Sequence, residues 1–348
     1  MSKSPFIRIL AVGVLSCSVS VSGAISSAAD DACAGSGHLS APSHTAKYLE
    51  AFTSGGFTPS WDQGRLAKMG GQAAPDIVDV YDRDGKQVFQ ALIRFSGLSG
   101  MMVAQATPLT SGLLASGHAY AGPLYVNFIA KADDSGNVIR VIQTENFMPT
   151  RLCGQPDGTI WTYGRDLTKE RNKEPYSLLR QYRLEGDLLH EYLPRDSVAI
   201  HTHGVPWGGG PSGTYLNCGA KQVSIYLNQS DEFVQVDTAK DRVQRWHMDM
   251  TGPKAKVSGL GVLSNGCIYA GLHAEEYEQS RAWGLYVLRL EEGKEMGRWV
   301  PVADTVHSQE WNEELVTNSF WSLRGAEGDE LVIVRYSSGG AMEWVKVR

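Results

Sequence analysis

The chain has 348 residues, 42% of them hydrophobic and 20% charged, with a formal net charge of −6. The charges are scattered and weakly acidic, which excludes the basic face that a nucleic-acid partner needs. Thirty-eight glycines and no long amphipathic helical pattern point instead to many short strands joined by turns.

Residues 1–29 read as a signal peptide. Lys3 and Arg8 precede a short apolar run, Ile9 to Val14, and a small-residue stretch ends in Ser27-Ala28-Ala29, a small-x-small cleavage site. The run is too short to cross a bilayer, so it is read as an export signal and not as an anchor, and no other stretch is a candidate transmembrane segment. A lipoprotein held through Cys17 is the alternative, because Val14-Leu-Ser-Cys17 loosely resembles a lipobox. Cleavage removes two cations and no acid, leaving (32 − 2) − 38 = −8 on an exported, periplasmic or extracellular chain.

Four cysteines remain after cleavage: Cys33, Cys153, Cys218 and Cys267. Export permits disulfides, and Cys153 and Cys218 fall at similar points of consecutive repeats, so a bridge between them is conceivable. Burial as small hydrophobic residues is the competing reading for the core cysteines, and none has C-x-x-C spacing.

The 30–74 segment is expected to be an N-terminal extension that closes a ring, and 75–348 the repeated body. Five hairpins recur there with turns near residues 85, 136, 186, 240 and 293, a period of roughly 50 residues. Ahead of the later hairpins lies a second pair of candidate strands: Met101 to Gln105 with Gly112 to His118, Thr150 to Cys153 with Gly158 to Tyr163, Gly213 to Asn217 with Gln222 to Tyr226, and Ser258 to Leu263 with Gly266 to Leu272. Four short antiparallel strands per repeat describe a propeller blade. The C-terminal repeat, with strands at Ser319 to Leu323, Leu331 to Tyr336 and Met342 to Val347, stops one strand short, which a strand from the N-terminal segment would supply. The fold class is therefore all-β, a single β-propeller of six blades, with five as the alternative.

Gln155-Pro-Asp-Gly-Thr-Ile-Trp-Thr-Tyr163 resembles the "PDGTIW" strand of bacterial NHL-like six-bladed propellers and, more weakly, of the streptogramin lyase group. Leu179 to Leu189 resembles their "RYSPDGKLL" outer hairpin. What the resemblance implies is a blade and not a reaction. The same propellers imply that the loop after each second strand and the loop leading into each first strand open on one face, where ligands bind; we call it the upper face.

Sorting residues by that rule sends His118 and His273 there from second-strand ends, with Arg165, Asn228 and Arg335 at matching ends. His201, His203 and Trp207 follow from the long loop before the fourth blade, and His307 from the loop before the last repeat. Histidines could hold a divalent metal or serve as bases. The plainer reading is a polar rim, and no cofactor is required by any motif. Trp207-Gly-Gly-Gly lacks the strand-to-helix setting of a phosphate loop, and Asp84 and Asp134 sit where β-turns favour aspartate. The expected function is a monomeric propeller binding a small molecule, glycan or protein on the upper face. A metal-assisted lyase or hydrolase using the same histidines is the alternative.

Overall fold

Alternating apolar residues and Gly/Asp turns produce twenty-five strands in the computed structural model, which describes residues 33, 37–47, 60–198, 214–219, 222–228, 230–249, 255–275, 280–290, 295–302, 307–310, 321–335 and 341–348. The expected signal peptide and Cys17 lie outside them. After β1 (His44–Lys47), the next twenty strands fall into consecutive antiparallel fours. Blade 1 is β2 (Ser60–Asp62), β3 (Arg65–Gly70), β4 (Ala74–Tyr81) and β5 (Gln87–Leu92). Blade 2 is β6 (Ser99–Pro108), β7 (Leu113–Ala121), β8 (Leu124–Ala132) and β9 (Val138–Gln143). Blade 3 is β10 (Phe147–Gly154), β11 (Ile160–Asp166), β12 (Ser177–Tyr182) and β13 (Leu188–Pro194).

Blade 4 is β14 (Thr214–Cys218), β15 (Gln222–Leu227), β16 (Glu232–Asp237) and β17 (Arg242–Asp249). Blade 5 is β18 (Ala255–Val262), β19 (Ile268–Glu275), β20 (Ser280–Leu290) and β21 (Met296–Pro301). The outer edges of these two blades join through a short parallel pairing, His247 opposite Met296, and β22 (His307–Glu310) pairs antiparallel with the start of β20. Blade 6 has three strands of its own, β23 (Trp321–Glu327), β24 (Glu330–Arg335) and β25 (Ala341–Val345). Its fourth is β1, with His44 opposite Trp344 and Lys47 opposite Ala341. The inner strands β2, β6, β10, β14, β18 and β23 touch in sequence, and β23 returns to β2, so the six blades close a ring: the protein is an all-β propeller.

The N-terminal segment divides differently from the sequence expectation. The closing strand is His44–Lys47, extended by a bridge from Leu39 to Val347 and backbone hydrogen bonds between His38 and Arg348, and the first blade begins at Ser60. The Gln63-Gly64 turn between β2 and β3, with positive φ at both residues, marks that hairpin.

The outer turns of blades 1 and 2 share one chemistry. Asp82 Oδ1 accepts from the amides of Asp84 (3.0 Å) and Lys86 (2.9 Å), and Asp133 Oδ1 accepts from Ser135 and Asn137 (both 2.9 Å). Gly85 and Gly136 take φ of 81°, and a Cβ at Gly136 would stand 2.0 Å from the Gln90 carbonyl of the preceding blade. Apolar residues on both faces of each sheet then fill six separate cores, one in each gap between neighbouring blades. Trp161, carried by the motif that resembles NHL-like propellers, is fully buried in one of them and donates to Gln155 Oε1 at 2.8 Å.

Two disulfides add covalent ties. Cys153–Cys218 joins inner strands β10 and β14 across 65 residues, and Cys33–Cys267 ties the N-terminal segment to the β18–β19 turn across 234. Such bonds persist in an oxidising compartment, as expected of an extracytoplasmic protein. No helix among the described residues is long and apolar enough to cross a membrane. Replacing Cys153 and Cys218 together by serine should lower unfolding free energy by ~2–4 kcal/mol, read from urea denaturation midpoints, with the propeller's circular dichroism retained.

Candidate functional site

Because strands alternate in direction, the second-to-third-strand turns share a face with the loops leading into first strands. His118 lies near the upper end of β7, and Arg165 at that of β11; Asn228 follows β15. His201, His203 and Trp207 lie outside the described residues. His273, His307 and Arg335 are placed in β19, β22 and β24 as backbone positions.

The three described side chains do different things. Arg165 is tied to Glu170 (Nε 2.7 Å, Nη2 2.5 Å) in the helical turn Leu167–Asn172, which Asp166 caps by accepting from the Lys169 amide. Asn228 clamps blade 4 to blade 5: its Nδ2 donates to the Val257 carbonyl and its Oδ1 accepts from the Val257 amide, both at 3.0 Å. His118 stacks on Tyr125 with ring centres 4.8 Å apart and planes 25° apart, and burial holds its pKa below the ordinary histidine value. Tyr120 meets Tyr125 edge-on at 5.8 Å. Around this trio Met102, Tyr120, Leu124 and Tyr125 are 40%, 43%, 67% and 39% exposed, so the tip of blade 2 carries an open aromatic and apolar platform.

A second group lines the ring's interior. Gln105, Arg151 and Tyr215 occupy the same register on the inner strands of blades 2, 3 and 4, opposite Ser116, Tyr163 and Tyr226. Arg151 Nε donates to the Thr214 carbonyl of the next blade at 2.6 Å, and Nη1 to the Thr150 carbonyl at 2.7 Å. Burial lowers the Arg151 pKa, and the groups that act on its charge are the phenols of Tyr215 and Tyr163; no carboxylate is among them. Burial also raises Tyr215, against the pull of Arg151 and of Arg324 on β23. The side-chain oxygen of Gln105 is enclosed without a hydrogen-bond donor.

At the opposite, lower end, Asp62 closes β2. Its Oδ1 accepts from the Gln63 amide at 2.9 Å, yet burial dominates and pushes its pKa up to about 7. The neighbouring turn acids are occupied. Asp134 binds Arg65 (2.6 Å), the Gly112 amide and Ser111, which hold it down at about 2, and Asp84 faces His44 at 3.3 Å. Among the described residues no three His, Cys, Asp or Glu side chains converge as a metal site would require.

No protein-family model matches the sequence, and no characterised protein matches it. Solved structures share the architecture. A Bacteroides fragilis protein described as exported superposes with a TM-score of 0.50 at 10% identity, covering 89% of this chain and 95% of its own. A luciferin-regenerating enzyme gives 0.44 at 12%, covering 88% and 97%. Regucalcin from Agrobacterium tumefaciens, a calcium-binding protein, gives 0.42 at 12%, covering 84% and 91%. At such identities the likeness concerns the fold alone.

Sequence reasoning sorted the histidines but passed over Arg151, Tyr215, Tyr120, Tyr125 and Asp62. Arg151 had a signal, a cation inside the inner-strand run Met148-Pro-Thr-Arg-Leu-Cys153; the tyrosines read as ordinary strand residues. For Asp62, the folded state binds a proton more tightly than the unfolded chain. The stability this contributes is complete below the ordinary carboxylate range and is lost as pH rises through about 7. Asp62→Asn should therefore be more stable than the parent at about pH 8, by at most ~4 kcal/mol at ~1.4 kcal/mol per pH unit, with the two converging near pH 4. Urea titrations across that range test this; equal stabilities at pH 8 would contradict it.

Proposed function

We propose that this chain is an exported, non-catalytic propeller that binds a ring-bearing small molecule or glycan on its upper face as a monomer. The observation that carries the reading is the platform of exposed Tyr120 and Tyr125 with half-buried His118 stacked on Tyr125. Flat rings already stacked on one another lose little side-chain freedom on binding, and they present π faces to the C–H side of a sugar or to a planar ligand. Strand direction sends the backbone positions of His273, His307 and Arg335 to the same rim. Arg165 and Asn228 support the rim by fixing the helical turn and the blade 4–blade 5 contact beneath it. Export is supported by the two disulfides, the monomer by a ring completed within one chain, and kinship with NHL-like propellers by the Gln155 to Tyr163 strand.

A glycan and small-molecule thermal-shift screen of the mature protein, followed by titration of each hit, tests this reading. Tyr120→Ala and Tyr125→Ala should each weaken a hit ~2–10-fold, the worth of one aromatic contact, without moving the unfolding temperature of the free protein by more than a few degrees. Hits whose affinities ignore both substitutions would refute the upper-face assignment.

A further inference from the structure

The interior of the ring carries a second site, separate from the blade 2 platform. Arg151 projects from β10 toward blade 4, enclosed enough that burial disfavours its charge, yet the residue is not sealed off. Two of its nitrogens are held by backbone carbonyls, Thr214 O and Thr150 O, which fix the plane of the guanidinium. Among the described residues Nη2 has no acceptor, and no carboxylate faces the group. An enclosed cation without an anion is costly, because a low-dielectric surrounding replaces water without offering a counter-charge.

The neighbours complete a cradle for an anion. Tyr215 stands at the same register on the next blade, with its hydroxyl in the field of Arg151 and of Arg324. Gln105 stands at that register on the preceding blade with an amide oxygen that meets no donor, so a half-turn would put its NH2 where the oxygen now stands. A guanidinium with a fixed plane, flanked on the adjoining inner strands by a phenol, whose ring packs on the blade 4–blade 5 core, and by an amide, offers donors suited to an oxyanion.

We propose that the channel of this propeller binds a small oxyanion, a carboxylate or a phosphate group, on Arg151, with Tyr215 and Gln105 as the adjoining hydrogen-bond donors. The anion takes the two free Nη2 protons and the Tyr215 hydroxyl proton as donors, and no covalent step is involved. Because none of these residues belongs to the blade 2 platform, this site and the upper-face site stand or fall separately.

Isothermal titration of the mature protein with acetate, succinate and inorganic phosphate, at constant ionic strength set with sodium chloride, tests the proposal. Saturable binding of at least one of them is expected, and which one responds distinguishes a carboxylate from a phosphate ligand. Arg151→Gln should weaken it at least tenfold and Tyr215→Phe several-fold, whereas Tyr120→Ala should leave it unchanged. If Arg151→Gln fails to fold, Tyr215→Phe and Gln105→Leu carry the test, since neither removes a link between blades seen here. Absence of saturable heat with all three anions in the folded protein, or affinities indifferent to whichever of these channel variants fold, would overturn the proposal.

Discussion

Closure of the ring through one buried tryptophan is the constraint on which the other blades depend. Trp344 is fully buried on β25, edge-on to Trp61 of blade 1 at 5.1 Å, beneath the Arg83 guanidinium at 5.0 Å, and against His44 of the closing strand at 4.9 Å. Its Nε1 donates to Glu327 at 2.7 Å. One side chain thus joins the last blade, the first blade and the strand from the N-terminal segment. Without that pairing, β25 and β2 would each present an unpaired edge or an open apolar face, and the core of Leu66, Tyr81, Val332, Val334 and Met342 between blades 6 and 1 would be exposed.

With the ring fixed, the chemistry concentrates in blades 2 to 4. The aromatic platform tops blade 2, and the Gln105–Arg151–Tyr215 register crosses the inner wall of blades 2 to 4, of which blades 3 and 4 are held together by the Cys153–Cys218 bridge and the Arg151–Thr214 hydrogen bond. The other side of the ring is built for close backbone approach. A Cβ at Gly259 would stand 2.0 Å from the Leu323 carbonyl, and one at Gly261 2.9 Å from that of Gly325, so β18 and β23 meet with little room for side chains between them. Side-chain-rich and glycine-lined walls on opposite sides give the channel a chemical polarity that the repeat alone would not.

Much of the architecture was legible because strand period and turn chemistry are local. Asp82 to Gly85 and Asp133 to Gly136 announce their hairpins in the sequence, and the apolar alternation on either side fixes which residues fill the gaps between blades. Blade 1 was harder to read: β2 is only three residues long, and its turn, Gln63-Gly64, lacks the aspartate signature. The disulfides were undecidable from spacing, since Cys33 and Cys267 meet only through the closed ring. Site residues were legible only as far as strand direction reaches. That rule assigns His118 to the upper face, but whether Asn228 meets a ligand or clamps Val257 depends on a contact between blades. The Arg151–Tyr215 relation likewise exists only once inner strands from different repeats stand side by side.

Native-state hydrogen exchange tests most directly whether one closure governs the whole ring. In the full mature chain, amides of β25, β3 and the central strands of blades 2 to 5 should exchange through openings of similar free energy. In a chain beginning after Lys47 all of them should lose protection together. Loss confined to blades 6 and 1, with blades 2 to 5 still protected, would show that the blades stand independently and would contradict the account.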